Sequence, residues 1–249
     1  LATNRHFEFE CGDITVAEQI KKAVLGCDAI IHLAAIVGFP ACSSQPALAD
    51  AVNVQGTKNV IDARKSYSPK MPLVYASTGS VYGKVEGVCT EESPLNAVSQ
   101  YGINKRIAEE MVSSEDNTVS FRFATGFGVS PCMRVNLLVN DFVYQALTNG
   151  ILTIFQADFR RTFIHVQDMA RAFTGGFEHI GYWKHKVYNC GANDLNWTKR
   201  ELAEYIKEQT GCFVHYEEIG KDVDQRDYEV SYSKLESEGF SCNVSMKEG

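Results

Sequence analysis

The sequence predicts an α/β fold built on a doubly wound parallel sheet, with a small C-terminal region added to it. Three observations carry that expectation. Short apolar runs rich in β-branched and aromatic residues recur along the chain, as buried strands require. Between them lie stretches with apolar residues at helical spacing, and a strand–helix–strand order makes neighbouring strands run parallel. The third is size: 249 residues, 45% of them hydrophobic and 22% charged, can bury a full core, and no repeat, low-complexity tract or Pro/Ser-rich linker divides them.

In chain order the pattern predicts a helix over 16–25, a strand over 29–34 and a helix over 47–64. A strand follows over 73–77, then a helix over 99–112 and a strand over 119–125. A helix over 167–178, a strand over 187–190 and a late helix over 197–210 complete the series. The first residues read as the edge of a strand, and the closing VSMKEG as the start of a further helix.

The net charge of -7 argues against nucleic-acid or anionic-membrane partners, since either needs a basic face to offset phosphate. An anionic small molecule stays open wherever a few arginines converge. The eight cysteines (Cys11, Cys27, Cys42, Cys89, Cys132, Cys190, Cys212, Cys242) form no CxxC pair and no zinc-spaced His/Cys cluster. They read as reduced thiols of a cytoplasmic protein with no metal site. No run approaches the roughly 18 apolar residues of a membrane span, and the first residues lack a signal-peptide shape.

Chemistry concentrates at Tyr101-Gly-Ile-Asn-Lys105, which places a phenol and an ammonium at i and i+4 on one helix face, about 6 Å apart along the axis. A tyrosine acting as a base near neutrality needs its pKa lowered by roughly three units, about 4 kcal/mol, and a neighbouring cation can supply that. A second YxxxK, Tyr182 to Lys186, has the same spacing. What separates the two is the run LVYASTGSVYG ahead of Tyr101, an apolar strand ending in hydroxyls with Thr78 among them. A strand's C-terminal end and the helix that follows meet at the edge where open α/β sheets bind ligands. Nothing comparable precedes Tyr182.

The ordered motifs DAIIHLAA, NVQGTKNV, STGSVYG and YGINK, continued by RFATGFG, RRTFIHVQDMARAF and QRDYEVSYSKL, resemble the extended short-chain dehydrogenase/reductase family, in particular its nucleotide-sugar epimerases and dehydratases. The resemblance implies a Rossmann-like domain over 1–128 and 162–192, and a substrate-binding region over 129–161 and 193–249. It implies NAD as cofactor, with NADP not excluded, a nucleotide-diphosphate sugar as substrate, and a homodimer formed through the helices at 47–64 and 99–112. Thr78, Tyr101 and Lys105 are implied as catalytic. Asp13, Ile14, Leu33, Ala34, Ala35, Asn53, Ala76 and Ser77, with Tyr101 and Lys105, are implied to meet the cofactor. For Asp13 a helix N-terminal carboxylate, for HLAA a tightly packed strand end, and for Asn53 a simple polar helix residue are the plain alternatives.

Thr78, Gly79, Ser80, Thr125, Asn136, Arg161 and Arg226 are implied on the substrate side, the two arginines toward the diphosphate. Dehydratases of the family carry an Asp-Glu pair after the catalytic threonine, where this chain has Gly79-Ser80. Without those proton carriers the comparison favours an epimerase or keto-sugar reductase over elimination, Glu91 and Glu92 being the nearest replacements. Thr125 stands where the family usually has asparagine. The opening glycine-rich strand–turn–helix that cradles a pyrophosphate is not found. Gly126-Phe-Gly128 lacks a third glycine and reads as a strand-end turn. The expectation is that about fifty residues of family architecture precede Leu1. If none do, cofactor binding is weak, and a non-catalytic binding or assembly role comes into play.

Overall fold

The computed structural model describes residues 4, 6–184, 186–218 and 227–249. The chain runs α1 (Ala17–Ala23), β1 (Ile30–His32), α2 (Phe39–Ser44), α3 (Pro46–Asp50), a π-helical turn (Ala51–Gln55), α4 (Gly56–Tyr67) and β2 (Leu73–Thr78). It continues through β3 (Val88–Cys89), α5 (Gln100–Ser113), β4 (Thr118–Phe123), β5 (Thr125–Phe127), α6 (Leu138–Asn149), β6 (Ile151–Phe155) and β7 (Arg160–His165). After α7 (Val166–Glu178), α8 (Ile180–Trp183) and β8 (Lys186–Cys190) come β9 (Asn196–Thr198), α9 (Lys199–Thr210), β10 (Phe213–Glu217), β11 (Glu229–Val230) and α10 (Ser233–Ser237).

The main sheet has the order β1-β2-β4-β8 with every pairing parallel, the doubly wound arrangement expected. Its central strands are buried on both faces: β2 opens on the apolar run LVYA, while β4 alternates Val119, Phe121 and Phe123 with the buried polar Thr118, Ser120 and Arg122. One face packs Leu73 and Tyr75 against Val60 and Ile61 of α4 and Ala108 and Val112 of α5. The other packs Val74 and Phe121 against Ala172 and Phe173 of α7 and Trp183 of α8. A second core gathers Phe142 and Ala146 of α6, Leu152 and Ile154 of β6, and Leu202 and Ile206 of α9. Two small sheets flank it, β10-β6 and β5-β7-β9.

Local signals explain several boundaries. Ser99 caps α5 by accepting from the Gly102 amide, and Thr198 with Glu201 closes a reciprocal capping box on α9. The helix expected over 47–64 is instead two α-helices joined by the π turn. The extra residue of that turn brings Asn53 round to the loop after β1, where its side chain is consumed.

Two further expectations are corrected. Residues 6–13 form no strand, and the closing segment is a turn in which Ser245 binds Glu248, not a helix. Strands β3, β5 to β7 and β9 to β11 also escaped the pattern, being mostly two to six residues long with no clean alternation. Among the described residues no helix is long and apolar enough to cross a membrane, and no group of His, Cys, Asp and Glu is placed to hold a metal.

Candidate active site

The C-terminal end of β2 and the first turns of α5 build the site. Thr78 ends the strand and caps the turn behind it, its hydroxyl accepting the Ser80 amide at 3.2 Å and lying 3.2 Å from the Ser80 hydroxyl. Helix α5 packs on β2 and on that turn. The approach is close because residue 102 is glycine: a Cβ there would sit 2.7 Å from the Ser80 carbonyl oxygen. Tyr101, half-buried, is thereby held on the helix end that packs on the turn after Thr78.

One turn further, Lys105 is only 3% exposed. Its Nζ stands 4.1 Å from the centre of the Tyr75 ring, and among the described residues no carboxylate forms an ion pair with it. Burial pulls its pKa down to about 7, against the partial support of the Glu109 carboxylate. The same burial, aided by the lysine charge, lowers His32 to about 3, so this histidine is neutral.

A buried ion pair locks the helix to the sheet. Glu109 of α5 receives Arg122 of β4 through Nε at 3.1 Å and Nη2 at 2.7 Å, with both side chains at most 5% exposed. The remaining Arg122 donors reach the Tyr82 hydroxyl and the Glu91 carbonyl, and Tyr82 donates to Asn189. Burial opposes charge on this guanidinium, but the Glu109 carboxylate outweighs it and raises its pKa. Neither Glu109 nor Arg122 was singled out from sequence, although the glutamate sits one turn beyond Lys105.

The remaining candidates fall into three groups. The first surrounds the end of β1, where Leu33 and Ala34 are exposed and Ala35 half-buried. Asn53 lies 1% exposed behind them, its amide oxygen accepting the Ile36 N–H at 2.8 Å and its amide nitrogen donating to the Ile36 carbonyl at 2.9 Å. It shapes the loop, and its amide nitrogen also lies 4.0 Å from the Cys42 sulfur. Asp13 is exposed, and both the Thr15 amide and hydroxyl donate to it at 2.8 Å, which lowers its pKa. Ile14 packs on Gly56 of α4, and its carbonyl accepts from Asn59.

The second group lies along the cleft. Ala76 and Ser77 precede Thr78 on β2, and the buried Ser77 hydroxyl has no hydrogen-bond partner among the described residues. Gly79 and Ser80 are buried in the turn, and Thr125 is half-buried on β5. Opposite Gly79 stands a residue the sequence reading missed. A Cβ on Gly79 would meet the Tyr228 hydroxyl at 3.1 Å, so that phenol fills the space beside Thr78 where a larger residue would project.

The third group is more distant. Asn136 is exposed in the loop before α6, and Asn140, not Asn136, ties that loop to the Gly128 amide. Arg161 is 3% exposed on β7 and donates to the Arg160 carbonyl. Arg226 lies outside the described residues.

The two decoys resolve physically. Tyr182 is 77% exposed on α8 while Lys186 belongs to β8 and pairs with Glu238, so the second YxxxK never shares a helix face. Gly128 follows β5 with φ of 106°, a strand-end turn and no phosphate loop.

The comparisons bear on this geometry. A putative UDP-glucose 4-epimerase of Methanocaldococcus jannaschii is 25% identical over 89% of this chain and 74% of that protein. A dTDP-glucose 4,6-dehydratase of Streptomyces niveus is 26% identical over 100% of this chain and 75% of its own length. The solved dTDP-glucose 4,6-dehydratase of Streptomyces venezuelae, with NAD and TYD bound, superposes with a TM-score of 0.85 at 26% identity, covering 99% of this chain and 78% of that one. Residues 1–191 match the model of the NAD dependent epimerase/dehydratase family, which spans the sheet, Thr78 and the YGINK helix. The chain belongs to that NAD-dependent family, and its Rossmann-like parallel sheet is the fold of the family's solved members.

Proposed function

We propose that the protein is an epimerase of a nucleotide-diphosphate sugar, working through a transient 4-keto sugar. The observation that carries this reading is the pairing of Gly79 with Tyr228. The position after Thr78 has no carboxylate, and the space a side chain would need is taken by a phenol. The nearest substitutes are committed elsewhere, Glu91 to the Asn189 amide at 2.7 Å and Glu92 to Lys234. Removal of water from a sugar needs a positioned acid and base, and neither carboxylate is available for that.

The residues present fit a nicotinamide cofactor. Lys105 is a buried ammonium lacking a carboxylate partner among the described residues, suited to a ribose diol, and the small residues at the end of β1 leave room for a flat ring system. When bound, that cofactor supplies reversible hydride acceptance at the sugar carbon. Tyr101 takes the proton of the sugar hydroxyl and later returns it. The Thr78 hydroxyl hydrogen-bonds the same oxygen, and the charge on Lys105 stabilises the tyrosinate. Arg161 and Arg226 are assigned to the diphosphate, holding the nucleotide while the sugar turns to present its other face.

We place the protein in the cytoplasm, in keeping with cysteines that are all free, and as a homodimer through α4 and α5 by analogy with family relatives. Incubating the full-length protein and NAD with UDP-glucose, and separately with GDP-sugars, tests the reaction. The expected product is an epimer of unchanged mass. A product lighter by one water would make it a dehydratase, net cofactor consumption a reductase, and no turnover of any kind would remove the catalytic reading.

A further inference from the structure

We propose that Tyr75 is a positioning residue for Lys105, the face of its ring holding the ammonium at the floor of the site where a carboxylate would otherwise be needed. The inference comes from asking what compensates a charge this deeply buried. Three elements besides its own surround it: β1 with His32, α2 with Cys42, and β2 with Tyr75. Helix α5 itself contributes Tyr101 and Glu109.

Each alternative partner is occupied or uncharged. His32 Nε2 lies 2.8 Å from the Thr57 hydroxyl, and that hydroxyl gives its proton to the Asn53 carbonyl at 2.7 Å. Nε2 therefore carries the hydrogen and donates it, and burial, aided by the lysine charge, keeps the ring neutral. The Cys42 thiol is pushed up by burial and stays protonated. The Glu109 carboxylate is taken by Arg122 through three contacts. Against the ammonium itself lies the ring face of Tyr75, 1% exposed and with its centre 4.1 Å from Nζ. A ring face carries negative potential, and its attraction for a cation grows as water is excluded. Tyr75 cannot drift, because β2 is central in the sheet and the ring is wedged among Val60, Ile61, Ala108 and Val112.

Two consequences separate this from ordinary packing. The contact depends on the electron density of the ring, not only on its shape. It also ties the ammonium to an interior strand of the sheet, so it presets the ammonium one helical turn from Tyr101. That Lys105 serves Tyr101 rests on the reaction proposed above; that the ring holds the ammonium does not.

The test uses full-length protein with carbon-13-labelled lysine, the Lys105 signal being assigned by its loss in Lys105→Met. Tyr75→Phe is made first, then phenylalanines carrying one, two and three ring fluorines are placed at position 75. Fluorine drains the ring face while barely changing its size. The titration midpoint of Lys105 is expected to fall stepwise, by about one unit across the series. A midpoint indifferent to fluorine overturns the proposal.

The unaltered protein gives a second reading that needs no variant to fold. The Lys105 side-chain protons next to Nζ should resonate upfield of ordinary lysine from the ring current, and ordinary shifts would also overturn it. A responsive midpoint in a protein without epimerase turnover would sink the reaction and keep the contact. Turnover with an indifferent midpoint would do the reverse.

Discussion

Gly102 lies directly against the backbone of Ser80, so close that a Cβ on the glycine would stand 2.7 Å from the serine carbonyl oxygen. This contact brings the helix bearing the phenol to the strand end bearing the hydroxyl. Gly102→Ala must push the helix off the turn. We expect a loss of about 1–3 kcal/mol of stability, the usual cost of overpacking, with a larger fractional loss in kcat than in thermal midpoint. Thermal denaturation beside steady-state turnover measures both, and an alanine variant of normal activity would show that the close approach is dispensable.

Tyr101→Phe is expected to lower turnover by about 10²- to 10⁴-fold while leaving the circular dichroism spectrum unchanged, since it removes one proton carrier and little packing. Tyr182→Phe should be silent in the same assay, its ring being 77% exposed on a different element. Equal loss in both would dissolve the distinction between the two YxxxK runs.

Gly79 and Tyr228 should behave as a coupled pair. Gly79→Ala brings a methyl to 3.1 Å from the Tyr228 hydroxyl and is expected to weaken catalysis. Adding Tyr228→Phe removes the crowded oxygen, so the double variant should recover part of what the alanine cost. A double-mutant cycle on kcat/KM measures the coupling, and strictly additive effects would mean that the two do not share the space.

Lys105 makes a prediction about stability and pH whose sign follows from burial. Its pKa is about 7 in the folded protein and near 10.5 when exposed, so between those values the unfolded chain binds the extra proton. Stability from this group therefore rises as pH increases from about 7 to about 10.5, and is lowest below 7, where the buried amine is charged. Lys105→Met, which never carries that charge, should be more stable than the parent at pH 6, with the advantage shrinking by pH 10. Denaturant melts at the two pH values decide it; an advantage that grows with pH would refute the burial argument.

Breaking the Glu109–Arg122 pair from one side should be costly. Glu109→Gln leaves a buried guanidinium without its carboxylate, and a loss of about 3–5 kcal/mol is the usual consequence for so enclosed a pair. Replacing Lys65 or Glu115, whose ion pair lies on the half-exposed surface, should cost about 1 kcal/mol or less. Parallel denaturant titrations of the two sets provide the comparison.

Much of this was legible in the amino-acid order because the responsible signals are local. Strand β2 opens on an apolar run, helices α5 and α9 carry their caps within four residues, and Tyr101 and Lys105 share a face simply because a helix repeats every 3.6 residues. The motif order alone was enough to suggest the family. The helix expected over 47–64 shows where local reading stops, for periodicity cannot register a π turn that exists to aim Asn53 at Ile36.

By itself, then, the sequence determined the parallel doubly wound sheet, the strand-end threonine and the phenol–ammonium pair that follows it, all properties of periodicity and short spacing. Only the tertiary structure decided what surrounds them. Tyr228 reaches Gly79 from far along the chain, Arg122 is brought to Glu109 by strand pairing, and Tyr75 meets Lys105 because helix α5 lies across β2. These contacts join residues on different elements, where burial and close packing set the charge of a lysine and the space beside a threonine, and no pattern along the chain encodes either.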